Sequence, residues 1–423
     1  MDYLITGISG IIGPTKERTN PVAGSEANRI SFVEGEGIFI RNGIVEDILD
    51  ASGFNSLRKK YRIREIDARG NLVMPGFVDS HTHVVFSGTR ENEFYEKLAG
   101  MSYLEIQERG GGIYKTFKDV ASSSETEIFR QTMRRIYSAV SNGTTTMEMK
   151  TGYGIDRNNE AKLIRVMNRI RGTGLVNVKK TFLGLHVIPP GFNENEYTDQ
   201  VCSQMLPEFS RDVDFADIFC DNGAFGTESL LKLENKAREL GIPLRVHSNE
   251  IADMGCLDHI AGSGVVSVDH LIKMSDRNFE AIAKSGAIAT LLPITAYSLG
   301  PSEMPDFRRF MNMDIPVSIA TDCSPSTYSS NMLYAIYLAV RFSHFTIESA
   351  INAVTINPAY SLGISGERGS LDIGKKADLL VLNVDDYRKI PYEFDSGIVR
   401  DVILNGRPVI ADRIPGRSMR NYL

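Results

Sequence analysis

The chain opens on alternating apolar and polar positions, YLITGISGII and then ISFVEGEGIFIRNGIVEDIL, which predict short strands and turns over residues 1–68. Within that stretch, Asn42-Gly43 in GIFIRNGIV marks a hairpin turn. The tail from Gly369 has the same character. SLDIGKKADLLVLNV precedes IVRDVILNGRPVIA, with Asn405-Gly406 as a second hairpin signal. The middle reads differently. Eight short apolar runs fall at 72–81, 144–152, 178–186, 215–221, 243–250, 266–270, 287–293 and 317–322, and longer segments with helical spacing separate them. ETEIFRQTMRRIYSAVSNG closes at Asn142-Gly143, TESLLKLENKARELG runs from Thr227 to Gly241, and SDRNFEAIAKSG runs from Ser275 to Gly286. Those are helix start and stop signals. Strand–helix alternation repeated eight times predicts an α/β fold, a (β/α)8 barrel with a parallel sheet.

A barrel carries its chemistry at the C-terminal ends of its strands. The expected first strand ends in His81 and His83, the second near Lys150 and Tyr153, and the third in His186. The fourth ends in Asp221, the fifth in His247 and Glu250, the sixth in His270 and the eighth in Asp322. The seventh, ending at Pro293, has no ionisable residue. Five of the seven histidines therefore fall at expected strand ends, which scattered core histidines would not do. His259 and His344 lie in expected helical or surface segments and carry no functional reading.

Composition removes several classes of function. A net charge of −6 argues against a nucleic-acid binder and against reliance on anionic lipid. No run approaches the ~18 apolar residues of a membrane span, and the first residues lack the basic start of a signal peptide. The four cysteines, Cys202, Cys220, Cys256 and Cys323, form no C-x-x-C pair. That leaves no zinc ribbon or redox motif, and a reduced cytoplasmic setting is the simple expectation. The GGG at 110–112 lacks the lysine and hydroxyl of a phosphate loop and is expected to be a tight turn near the barrel mouth.

His81-Thr82-His83 carries the strongest local chemistry. Residues two apart on a strand share a face, so both imidazoles can reach one ion. Neutral imidazole suits a divalent transition metal. His247 supplies a third nitrogen and Asp322 a fourth ligand, since a carboxylate ending an apolar strand is costly unless it is paired or bound to metal. A bound divalent ion lowers the pKa of water toward about 7, giving a nucleophile at neutral pH. Glu250, three residues beyond His247, is placed to move a proton onto a leaving nitrogen, and Asp322 to accept one from the attacking water. His270 is placed to hydrogen-bond the developing oxyanion. Asp269 is expected to point the other way and to be structural, and Glu148 and Lys150 to share a face as an internal ion pair.

Longer motifs add to this constellation: PGFVDSHTHVVFSGTRENEF, SYLEIQERGGGI, GTTTMEMKTGYG, FLGLHVIPP, VHSNEI, DHL, LLPITAYSLG, SIATD, GSLDIGKKADLLVL and IPYEF. In these the chain resembles the imidazolonepropionase family of the amidohydrolase superfamily, in register over nearly its whole length. The resemblance implies a metal-dependent barrel over 69–368, with a small β-sandwich built from 1–68 and 369–423. It implies one Zn or Fe ion at His81, His83, His247 and Asp322. Some related barrels hold two metals bridged by a modified lysine on the fourth strand, but here that strand ends FCD, which favours one ion. The resemblance further implies substrate contacts from Arg90, Tyr153, His186 and Glu250, and a homodimer. The implied substrate is the anionic 4-imidazolone-5-propionate, opened to N-formimino-L-glutamate in histidine degradation, with Arg90 suited to the carboxylate.

One loop departs from the family pattern D-x-N-P-G-S. Here Asp322 is followed by Cys323, Ser324, Pro325, Ser326 and Thr327, so serine stands for the asparagine and again for the glycine. Ser324, Ser326 and Thr327 remain the expected polar wall for substrate. The metal constellation alone leaves an alternative open, a deaminase or cyclic amidohydrolase acting on another small N-heterocycle. A non-catalytic relative would be expected to lose ligands that this chain keeps.

Overall fold

The computed structural model describes residues 1–13, 19–34, 37–101, 105–106, 109–394 and 397–410. The end of the expected C-terminal segment (411–423) and parts of SYLEIQERGGGI lie outside the described residues. Strands β1 (Asp2–Ile12), β2 (Phe32–Glu34), β3 (Gly37–Arg41), β4 (Ile44–Leu49) and β5 (Ile63–Pro75) begin the chain. The barrel strands are β6 (Phe77–Asp79), β7 (Thr144–Lys150), β8 (Asn177–Leu185), β9 (Phe215–Cys220), β10 (Leu244–Ser248), β11 (Val265–His270), β12 (Ile288–Leu291) and β13 (Val317–Ile319). Strands β14 (Leu379–Leu382), β15 (Val399–Leu404) and β16 (Arg407–Ile410) follow.

Strands β6 to β13 pair in sequence order, each parallel to the next. The ring closes through the chain just beyond β13 and β6. Thr82 bridges Cys323, Asp322 N–H donates to His81 O at 3.1 Å, and His83 N–H donates to Cys323 O at 3.0 Å. Helices fall where the capping signals put them. Glu125–Ser141 starts on a capping box of Ser124 and Glu127, and Thr227–Leu240 and Asp276–Ser285 end on left-handed Gly241 and Gly286.

The remaining strands form a second, mixed sheet in the order β16-β15-β14-β5-β1-β3-β4, with β2 beside β1. This sheet is the small β-sandwich made from both chain ends. Both expected hairpins are present, with positive φ at Asn42 and Gly43 and at Asn405 and Gly406. The period of two explains how the sheet joins the barrel. Leu379 and Val381 of β14 pack into the sandwich core with Ile5, Ile38 and Val73, whereas Leu380 and Leu382 enter the barrel's outer core.

The structure corrects several expectations here. The run 72–81 is divided: Leu72–Pro75 completes β5 in the sandwich sheet, and the chain enters the barrel only at Phe77. Residues 1–68 contain a ten-residue helix, Ala51–Lys60, N-capped by Asp50, which alternation did not signal. Cys220 and Cys256 are joined in a disulfide across 36 residues, while Cys202 and Cys323 are buried free thiols. Pairing at that range is set by tertiary contact and leaves no spacing motif. No helix among the described residues is long and apolar enough to cross a membrane.

Candidate functional site

The strand ends converge. β6 stops at Asp79, but extended backbone continues through the Thr82 bridge, so His81 and His83 share a face as the H-x-H spacing predicts. His83 Nε2 lies 3.2 Å from His247 Nε2. Asp322 Oδ1 lies 3.7 Å from both His81 Nε2 and His83 Nε2. One ring nitrogen from each of His81, His83 and His247 lies within 4.8 Å of the others. His81 Nε2 is buried without a hydrogen-bond partner, which a buried polar atom tolerates poorly unless a ligand takes it. Burial, reinforced by the neighbouring cations, holds the pKa of all three imidazoles well below the usual range, keeping them neutral and able to ligate. The donor set fits a single transition-metal ion.

Beneath these ligands lies a layer of buried charge. Lys150 Nζ donates to Glu148 Oε1 at 2.8 Å and to Asp217 Oδ2 at 2.7 Å, bearing out the expected ion pair and adding a partner from β9. Asp217 Oδ1 accepts from His247 Nδ1 at 3.1 Å, and Asp269 Oδ2 accepts from His81 Nδ1 at 2.6 Å. An ionised carboxylate only accepts, so each Nδ1 carries the proton and each Nε2 presents a lone pair. Burial opposes ionisation of Asp269, but Arg245 and Lys150 outweigh it and hold this carboxyl below its usual range. The expectation that Asp269 points away is therefore corrected. Strict alternation fails where β11 ends, because His270 takes φ of +80° and the backbone turns, bringing both residues inward. A second group of possible ligands, Asp217, His247 and Asp269, already faces the Lys150 ammonium.

Above the ligands opens a cavity of about 540 Å³, bordered by every expected site residue except His81, which is fully buried. On one wall Arg90 Nε donates to Thr116 Oγ1 at 2.8 Å, while its Nη2 is buried without a partner. The guanidinium sits 5.9 Å from the Tyr153 ring centroid. His186 stacks on His83 with ring centroids 5.0 Å apart, and burial first, then Arg90, pushes its pKa down to about 3. Gly152, at φ of +105°, lets that imidazole approach: a Cβ there would sit 2.7 Å from His186 Nδ1. On the far wall Ser324 Oγ lies 3.1 Å from Ser326 Oγ and accepts from Thr327 N at 3.2 Å. Glu250 Oε2 lies 3.5 Å from His270 Nδ1. Burial, with Asp221 adding to it, pushes the Glu250 carboxyl up to about 7. His259 and His344 are exposed and outside the site.

Two contributors were given no role from the sequence. Thr295, on the short helix Pro293–Leu299 after β12, donates to Asp322 Oδ2 at 2.6 Å. It fills the seventh strand end, which the sequence left without an ionisable group. Asp221 is legible at the end of β9, but besides the adjacent Asn222 amide its carboxylate accepts from three backbone amides of the next strand's loop. No linear signal points to those.

Comparison with known proteins agrees with this geometry. The family model described as "Amidohydrolase family" matches residues 72–409. The chain is 43% identical to an imidazolonepropionase of Picrophilus torridus, over 91% of this chain and 95% of that protein. It is 40% identical to an imidazolonepropionase of Thermoplasma volcanium, over 95% of this chain and 96% of that protein. Among solved structures it is similar to an adenosine deaminase from Xanthomonas campestris with bound zinc, at a TM-score of 0.73 and 14% identity, covering 100% of this chain and 96% of that one. At 14% identity that last likeness speaks for the fold alone. At the identity and coverage of the first two relatives, the chain belongs to the amidohydrolase family and, within it, to the imidazolonepropionases.

Proposed function

We propose that this chain hydrolyses the ring C–N bond of 4-imidazolone-5-propionate to N-formimino-L-glutamate, in histidine degradation, with one Zn or Fe ion held by His81, His83, His247 and Asp322. The observation that carries the reading is one cavity lying over four convergent donor residues, three of which border it, with the unpartnered Arg90 Nη2 on its wall. That pairing suits a small anionic substrate whose reacting end sits at a metal. Bound there, the ion supplies Lewis acidity and a water nucleophile at neutral pH.

The chain's own residues do the rest. Arg90 holds the propionate carboxylate by a charge-assisted hydrogen bond. Tyr153, His186 and the hydroxyls of Ser324, Ser326 and Thr327 border the ring and fix its orientation. Water adds to the ring carbonyl carbon, and His270 donates a hydrogen bond to the developing oxyanion. Glu250 takes the first proton the water gives up, and Asp322 the second as the new acid ionises. Glu250 delivers its proton to the ring nitrogen as the C–N bond breaks, leaving the new carboxylate and the formimino group. A carboxyl raised to about 7 is matched to taking and returning a proton at neutral pH.

We extend the proposal to the domain division 1–68, 69–368 and 369–423, supported by the separate hydrophobic cluster of the sandwich sheet. β5 runs across the first of those boundaries. We extend it also to a cytoplasmic homodimer, as the family resemblance implies. The Cys220–Cys256 bridge is compatible with that setting, because both residues are fully buried, out of reach of small thiols.

The test is an ultraviolet assay with freshly generated imidazolone propionate, with metal content measured on the same sample. Loss of the imidazolone band with formiminoglutamate appearing supports the reading. A metal-loaded enzyme that leaves the band unchanged, yet releases ammonia from an amino-heterocycle, overturns it in favour of a deaminase.

A further inference from the structure

Glu250 sits on a loop without regular secondary structure, between β10 and the short 3-10 turn Cys256–His259. Two adjacent residues at the end of β9 hold both ends of that loop. Asp221 accepts from Glu250 N at 2.7 Å and Ile251 N at 3.1 Å through Oδ2, and from Ala252 N at 2.9 Å through Oδ1. Cys220 is bonded to Cys256. Between the two anchors only Asp253 to Gly255 remain, and Asp253 and Met254 are exposed. Asp221 itself is 2% exposed and does not border the cavity, so its hydrogen bonds reach the substrate site through this loop.

We infer that Asp221 and the Cys220–Cys256 disulfide are positioning residues for the reaction: together they clamp the 250–256 loop to β9 and so hold the Glu250 carboxylate over the reacting atoms. A carboxylate that accepts several amide hydrogens fixes a backbone more tightly than a neutral acceptor does. The covalent link removes the freedom that a seven-residue loop would otherwise keep. The fixed backbone leaves Glu250 few directions other than His270 and the cavity. The negative charge of Asp221 also adds to the upward shift of the Glu250 carboxyl. A proton carrier gains its ~10²–10⁴-fold effect only within hydrogen-bond reach of the atoms it serves, so a loosened loop forfeits much of it.

The inference rests on the reading of Glu250 as the proton carrier, and a double-mutant cycle keeps the two apart. The variants are Glu250→Gln, Asp221→Asn, the two combined, and Cys220→Ser with Cys256→Ser. Each is measured for kcat, KM, metal per chain, and hydrogen exchange at the amides of 250–252. Asp221→Asn is expected to speed that exchange and lower kcat roughly 10–100-fold with metal content unchanged. In the combined variant it is expected to add almost nothing to the loss from Glu250→Gln. Losses that multiply would mean Asp221 acts by general destabilisation and overturn the inference. So would faster exchange with kcat unchanged. Full activity in Glu250→Gln, by contrast, removes the proton-carrier reading itself, whatever Asp221→Asn does. If Asp221→Asn fails to fold, the paired serine variant reads the same non-additivity through the covalent anchor alone.

Discussion

The barrel interior has two layers, and they are built on opposite terms. In the lower one Glu148, Lys150, Asp217, Arg245 and Asp269 are all buried, and each charge faces an opposite one at close range, although Arg245 Nε and Nη1 make no hydrogen bond. In the upper one His81 Nε2, Arg90 Nη2 and the Nδ1 atoms of His83, His186 and His270 are buried without hydrogen-bond partners. The lower layer spends its bonds on orientation, fixing His81 through Asp269 and His247 through Asp217. The upper layer keeps its bonding capacity for ligands. Non-glycine residues with positive φ at Asn249, His270, Leu271 and Asp322 lie where the upper layer begins, as expected where backbone strain serves a site. Pairing below and unpartnered nitrogens above are two parts of one device, since a nitrogen can serve as a ligand only if its ring cannot turn.

Either layer can be disrupted separately. Asp322→Ala removes a residue proposed as both metal ligand and proton acceptor. Turnover should fall roughly 10⁴-fold or more, and competition with a chelator should show weakened metal binding. Lys150→Met strips the ammonium from the lower layer and leaves Glu148 and Asp217 uncompensated. Denaturant unfolding should show a loss of about 3–5 kcal/mol. A stable variant with full metal affinity would contradict the orienting role of that layer.

Glu250→Gln should lower kcat by about 10²-fold or more at neutral pH. The pH profile sharpens this. Glu250 faces Asp221, Lys97, His270 and Asp322, and burial first, then Asp221, raises its carboxyl to about 7. In the proposed mechanism it must be ionised to take the water's proton. The rate should therefore fall as pH drops through about 7 and level off above it, and the glutamine variant should lose that acid limb. Arg90→Ala, on the upper wall, should raise KM roughly 10–100-fold while kcat changes little. Unchanged KM would remove Arg90 from carboxylate binding. The smallest effect is expected far from both layers. Arg157→Ala breaks an exposed pair with Glu208 and should change stability by less than about 1 kcal/mol in thermal unfolding.

Much of the fold was legible. Eight apolar runs became eight barrel strands, and both Asn-Gly turns became hairpins, because period-two and period-3.6 patterns report burial one element at a time. His81, His83, His247 and Asp322 were legible because a barrel brings its strand ends together and these residues sit at three of them. Residues 72–75 were misassigned because apolar alternation does not say which of two sheets a strand joins. Asp269 was misplaced because the alternation rule assumes a strand that continues, and β11 turns at His270.

The local order of hydrophobic and polar side chains, with the turn and cap residues, was by itself enough to determine the barrel, the β-rich ends and the ring of histidines. Those features follow from near-neighbour physics along the chain. What the tertiary structure alone decided is pairing at a distance. Lys150 finds Asp217 across two strands, His81 finds Asp269, Thr295 finds Asp322, Asp221 finds the Glu250 loop, and Cys220 finds Cys256. A buried charge or polar group has to meet a partner from another element, and which one it meets is settled only when the barrel closes.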